Sequence, residues 1–259
     1  MHRYVLAILM AFATPALAAD PAQSPPAAED PRDLIFDLGA GVGVAPKFPG
    51  SSKYTISAFG IFDPQFIRLP FFGVLADGSP SFLSVFPSFN IVGERSVDDA
   101  GYLAGIADRD VAVEVGAGVA IEYRMVRAFA EVRYGVTGHE GFVGEVGADL
   151  TLNPTDRLEV SFGPRLGFAS EAYYETYFDV PVTATQLAAH DAGPGGFKDV
   201  GLEAEAILAL TEKVRLHGRA SWRRLIGEAG DSPIVEAGSK NAFTLGLGLS
   251  YRFGFDVFD

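Results

Sequence analysis

The sequence predicts an all-β protein, a transmembrane antiparallel up-and-down β-barrel of about twelve strands. Three observations carry that expectation. Long segments alternate strictly between two kinds of residue. The connections between them alternate between short and long. After the N-terminal segment, no apolar run is long enough for a membrane-spanning helix.

The N-terminus sets the compartment. MHRYVLAILMAFATPALAAD places His2 and Arg3 before a short apolar run and closes it with Ala16, Leu17 and Ala18, the pattern of a secretory signal peptide (residues 1–18) cut after Ala18. Residues 19–32 are rich in proline and alanine and lack periodicity, as expected of a flexible periplasmic leader, and the barrel is expected over residues 33–259. There is no cysteine, hence no lipid attachment site after the signal and no disulfide framework. Stability must come from backbone pairing and packing. A formal charge of -13 without any basic stripe argues against a nucleic-acid partner.

Each strand shows the same two faces. Leu34, Phe36, Leu38, Ala40, Val42 and Val44 alternate with Ile35, Asp37, Gly39, Gly41 and Gly43. Tyr54, Ile56 and Ala58 open a second strand, and Leu83, Val85, Pro87, Phe89 and Ile91 mark another. In DVAVEVGAGVAIEY (110–123), Val111, Val113, Val115, Ala117, Val119, Ile121 and Tyr123 share one face, and glycine, alanine and glutamate share the other. A period of two means a strand, because successive side chains point to opposite sides. Segments 126–137, 141–152, 157–168, 199–210, 213–224 and 242–253 repeat the pattern. A soluble sandwich could bury such an apolar face against a second sheet, whereas a barrel turns it to lipid, with strands of about 9 to 11 residues.

The connections decide between the two. Residues 124–125, 153–156 and 211–212 are tight turns, while 93–109, 169–198 and 225–241 are long, with only 138–140 short on that side. Short turns at one rim and long loops at the other are the habit of outer-membrane barrels, the short side being periplasmic. An even strand number then requires a short up-down pair within PQFIRLPFFGVLADGSP (64–80). The apolar face is expected to meet outer-membrane lipid and the glycine and glutamate face the lumen, where glycines keep interior side chains from colliding.

Inward positions hold the candidate site. Registering the hairpins through their tight turns sets Glu122 against Arg127, Glu145 against Arg165 and Glu205 against Arg219, with Glu203 diagonal to Arg223. Arg215, His217, Arg219 and Arg223 line one strand beside the acidic strand before it. Such a field could select ions in a channel. It could equally be an interior plug of ion pairs, and the narrowness of the barrel favours the plug. Catalysis finds less support. His139 with Glu140, His190 with Asp191, and Asp98 with Asp99 fall in outer loops, and no serine or second carboxylate is spaced for a triad or dyad. These are read as solvated loop residues. No catalytic residue, cofactor or metal site is expected.

At FAEVRYGVTGHEGFVGEVGADL (129–150), RLEVSFGPRLGF (157–168), TYFDV (176–180) and DSPIV (231–235), the chain resembles the MipA/OmpV family of outer-membrane proteins. The resemblance runs from Asp33 to Phe253. It departs in the phenylalanine-rich stretch 64–80 and at the last residue, Asp259, where a barrel usually ends on an aromatic. The resemblance implies a non-enzymatic scaffold that brings a lytic transglycosylase and a bifunctional penicillin-binding protein together for murein growth. It brings no catalytic residues. A small ion- or solute-selective channel is the alternative.

Overall fold

The computed structural model describes residues 9–13, 33–69, 73–76 and 83–257. The expected cleavage point after Ala18 and the leader over 19–32 lie outside them. Among the described residues one sheet contains twelve strands: β1 Leu9–Ala13, β2 Leu34–Pro46, β3 Tyr54–Leu69, β4 Gly73–Ala76, β5 Ser84–Val92, β6 Ala112–Tyr123, β7 Val126–Gly135, β8 Phe142–Thr155, β9 Leu158–Ser170, β10 Gly195–Ala209, β11 Val214–Leu225 and β12 Asn241–Phe255.

From β5 to β12 each strand pairs antiparallel with its sequence neighbour, and β12 then pairs with β2 and β2 with β3. The sheet therefore curls round until β3 and β5 approach each other. Residues Leu9–Ala13, inside the expected signal segment, lie at that seam, parallel to β3 and beside β5. The short pair expected over 64–80 takes a different form. β3 continues to Leu69, β4 folds back on its end, and residues 70–72 and 77–80 lie outside the described residues. Continued pairing along β2 satisfies the backbone of β3 there, so the chain need not turn at Pro64.

The two faces sort by chemistry. On β6, Val115, Val119, Ile121 and Tyr123 point out and are exposed, whereas Ala112, Glu114 and Ala120 point in and are buried. On β12 the outward row is Leu245, Leu247, Leu249 and Tyr251. Aromatic rings gather at both ends of this apolar band. Phe36 packs on Phe62, Phe253 and Phe255 at centroid distances of 5.6 to 5.9 Å near the short-turn rim. At the long-loop rim Tyr134 meets Phe142 at 5.1 Å, and the Tyr54 hydroxyl accepts from the Phe243 backbone N–H at 3.2 Å. Such girdles mark the two interfaces of a bilayer.

Inward glycines make room for rings. A Cβ at Gly118 would strike the Phe86 ring, and one at Gly41 would strike Phe59. Both phenylalanines are buried inside the barrel.

If the valine face meets hydrocarbon, placing a cation on it is costly. Val119→Arg is expected to destabilise the bilayer-inserted barrel by about 2–4 kcal/mol, read from urea midpoints of the folded gel band. The same change at Val182, an exposed loop residue, should leave the midpoint unchanged, and equal effects at both sites would contradict the assignment of faces.

Candidate functional site

The inward positions of β6 to β12 build a continuous network of charges. Two-residue turns fix the local register, so β6 and β7 place Glu122 opposite Arg127, with Arg127 Nε 3.4 Å from Glu122 Oε1. The Arg127 guanidinium lies 5.0 Å from the centroid of Phe86 and 5.1 Å from that of Phe129. On the hairpin of β10 and β11 Glu205 is opposite Arg219, whose Nη2 donates to its Oε1 at 3.1 Å. Glu203 is opposite Ser221 and receives a diagonal hydrogen bond from Arg223 Nη2 at 3.3 Å.

Two expected pairings need correction. Glu145 faces Gly167, and Arg165 faces Gly147, because a register shift between Leu152 and Thr155 lets β8 run on to a turn two residues later. Arg165 still reaches Glu145 diagonally at 3.4 Å, but its Nη1 donates to Asp149 at 2.7 Å. Arg215 turns away from the acidic strand and pairs across β12 with Asp37 on β2 at 3.0 Å. Asp37 is fully buried and also accepts two hydrogen bonds from Arg252, at 2.9 and 3.1 Å. Arg223 crosses the lumen to Glu145 at 2.5 Å and meets Asp199 at 3.3 Å.

His139 also differs from the expectation of a solvated loop residue. Its side chain is buried. The Gly141 N–H donates to Nδ1 at 3.1 Å, which leaves the proton of the neutral ring on Nε2, 3.2 Å from Glu114 Oε1. Arg133 Nε donates to the other Glu114 oxygen at 3.0 Å, and Asn90 joins there at 3.0 Å. Arg133 also pairs with Glu131 and donates to Ser88 at 3.1 Å. Alternation marks Glu114 as inward, but its contact with His139 comes from a loop folding back, for which a local pattern gives no signal. His217 is buried on β11, its Nε2 2.8 Å from Ser250 Oγ.

The long loops form a lid. Helix α1 (Glu171–Tyr177) places Tyr173, Tyr174, Tyr177 and then Phe178 in one cluster with Val143 and Ala169, which point inward from β8 and β9. The helix thus covers the barrel mouth, with His139 edge-on to Tyr173 at 4.9 Å beneath it. Helices α2 (Gly227–Asp231) and α3 (Pro233–Ala237) add Ala229 and Val235 to that cluster. Phe48, Leu103, Ile106, Val180 and Ile234 from four loops form a second cluster. Asp99 is buried here and pairs with Lys47, while Asp98, Glu140 and Asp191 are exposed and His190 is half-buried. Asp98, Glu140 and Asp191 keep the exposure usual for loops, whereas His139 and Asp99 are covered by neighbouring loop residues. Burial, helped by Asp199 and Glu228, pushes the Tyr174 phenol up to about 12, and its hydroxyl donates to the Phe197 carbonyl at 3.1 Å. Burial raises Tyr173 and Tyr177 as well.

Beneath the lid the lumen retains a polar cavity of about 310 Å³, lined by Arg127, Arg133, Arg165, Arg219 and Arg223 and by Glu131, Glu145, Asp149, Asp199 and Glu203. An outward apolar band with aromatic girdles, a charged interior and long loops at one rim define the class: an outer-membrane β-barrel. The family model for the MltA-interacting protein MipA matches residues 38–253, so the chain belongs to the MipA family. No curated protein matches it. Among solved structures, an outer membrane channel from Pseudomonas putida is 12% identical, with 89% of this chain and 100% of that chain covered, at a TM-score of 0.40. Outer membrane protein H from Pseudomonas aeruginosa is 15% identical over 84% and 99% of the two chains, at 0.34. The attachment invasion locus protein of Yersinia pestis is 11% identical over 85% and 99%, at 0.30.

Two outcomes follow from the network and the lid. Arg223→Met removes the shared partner of Glu145, Asp199 and Glu203 and should cost about 3 kcal/mol, whereas Arg224→Met on the exposed face should cost little; equal urea midpoints for the two variants would contradict the network. The Tyr174 phenol lies above its ordinary value of about 10, so the folded lid holds its proton more tightly. Its contribution is present below pH 10 and is lost as pH rises towards about 12. Phenolate absorbance at 295 nm should show a tyrosine class titrating late and together with lid opening, and a single class near the ordinary value would contradict lid burial.

Proposed function

We propose that this barrel is a non-conducting, non-enzymatic adaptor in the cell envelope, holding a murein-cleaving enzyme and a murein-synthesising enzyme near the outer membrane. The observation that carries the reading is the interior: cross-lumen ion pairs run under a lid packed across the mouth. A wall of charges fixed by one another is costly to open, because separating any pair strands a charge away from water. The family description, MltA-interacting protein, supplies the class of partner, a lytic transglycosylase; a bifunctional penicillin-binding protein completes the pair that the family resemblance implies.

In this reading the signal segment is removed after Ala18, the leader over 19–32 hangs in the periplasm, and the short turns at 124–125, 156–157 and 210–213 face the murein. The long-loop lid faces outside. Cleavage also removes β1 and frees the edge of β3 at the seam.

A small ion- or solute-selective channel is the second reading, favoured by the polar cavity with arginines on its wall. Photo-crosslinkers at Met125 and Glu212 in the short turns should capture murein enzymes from intact envelopes, while one at Val182 in the lid should not. Capture of no murein enzyme from either turn would contradict the adaptor.

A further inference from the structure

A pocket in the lid carries chemistry that the lumen and the adaptor reading leave unused. Arg95 and Arg109 face each other across an isolated antiparallel bridge, with backbone hydrogen bonds of 2.9 and 2.7 Å. Residues directly opposite in such a bridge project to the same side, where like charges repel. Both side chains turn to the C-terminal carbonyls of α1. Arg95 donates through Nη1 to Tyr177 O at 2.9 Å and through Nη2 to Thr176 O at 3.1 Å, and Arg109 Nε donates to Thr176 O at 3.2 Å. The negative end of the helix offsets part of the repulsion. Among the described residues, neither guanidinium makes an ion pair.

The two arginines line a pocket of about 570 Å³ together with Ile106, Val180, Pro181 and His190. Two polar atoms of its lining residues have no hydrogen-bond partner, Arg95 Nε and His190 Nε2, although Arg95 is only 2% exposed. The Nη atoms of Arg95 are held by carbonyls, but its buried Nε has no acceptor, and that part of its desolvation is uncompensated. Burial and the neighbouring Arg109 lower the Arg95 guanidinium to about 10, against a smaller opposing pull from Tyr177, Tyr102 and Asp108. On the acidic side of the lining, Asp179 is occupied by the Ala192 N–H at 2.7 Å, and Glu175 is exposed.

We propose that this pocket binds the phosphate group of a small organic molecule, with the phosphate between Arg109, the Arg95 edge and His190 and the organic body against Ile106, Val180 and Pro181. A dianion matches two guanidiniums better than a single carboxylate does, and guanidinium geometry suits phosphate oxygens. The volume falls within the range of small-molecule sites and exceeds the needs of bare phosphate. With the lid facing outside, as in the proposed function, the phosphate could belong to a free sugar phosphate or to the headgroup of an outer-leaflet lipid.

Calorimetric titration of the full chain, refolded in detergent, separates these sources. One arm uses glucosamine 1-phosphate and the other lipid A in mixed micelles. Saturable binding is expected in at least one arm, weakened about tenfold by Arg109→Met through loss of a charge-assisted contact and strengthened about twofold by Glu175→Gln through loss of a repulsive charge. Saturation with the sugar phosphate assigns a free ligand; saturation with lipid A alone assigns the headgroup. If Arg109→Met gives no heat-shifted folded band, the Glu175→Gln response decides. No saturation in either arm, or affinity unmoved by the substitutions that fold, overturns the site and leaves the crosslinking expected of the adaptor untouched.

Discussion

A backbone that crosses hydrocarbon has no water to satisfy its N–H and C=O groups, so every one must pair within the sheet. Antiparallel neighbours from β5 round to β3 meet that demand along their shared edges, and Leu9–Ala13 sits at the seam between the two end strands. Because strand side chains alternate, pairing also fixes which residues point inward, whatever their charge. The lumen of this protein is the consequence. Glu114, Asp37 and Arg165 are buried because the sheet puts them there, and they persist because each meets opposite charge. Removing one partner is far more costly than the pair is stabilising, so the network specifies a single arrangement of the interior more than it adds to stability.

The same logic explains the lid. A curled sheet still leaves its ends open, and the long-loop end is covered by residues that no strand pattern organises. Helix α1 seats its tyrosines on the last inward residues of β8 and β9, and Ser232 Oγ donates to Phe178 O at 2.6 Å to join α3 to it. Other loops lock onto that platform through backbone contacts, Ser239 N–H to Gly50 O at 2.8 Å and Thr185 N–H to Ala104 O at 3.0 Å. Both Arg95 and Arg109 hold the end of α1. The residues that fix the lid therefore also shape the pocket beside it.

How much of this was legible depends on the range of the interaction. Face assignment is local, so Val119 outward and Glu114 inward could be read from alternation alone. Hairpin register is almost as local, which is why Glu122 lies against Arg127 and Glu205 against Arg219. One bulge near Leu152 moved Arg165 two places from Glu145, a shift that turn length does not reveal. Contacts across the circumference, Arg215 with Asp37 and Arg223 with Glu145, depend on curvature and had no sequence signal. The burial of His139 and the stacking of four loops are longer-ranged still. In 64–80 strand parity called for a short up-down pair where pairing with β2 carries β3 onward.

The closed interior is the claim on which the adaptor reading depends, and single-channel recording tests it most directly. The chain without residues 1–18, refolded and verified by its heat-shifted gel band, would be inserted in a planar bilayer. An electrically silent folded barrel is the expected result. Discrete conductance steps whose ion selectivity changes in Arg219→Glu would contradict it and make the inward arginines the wall of a channel.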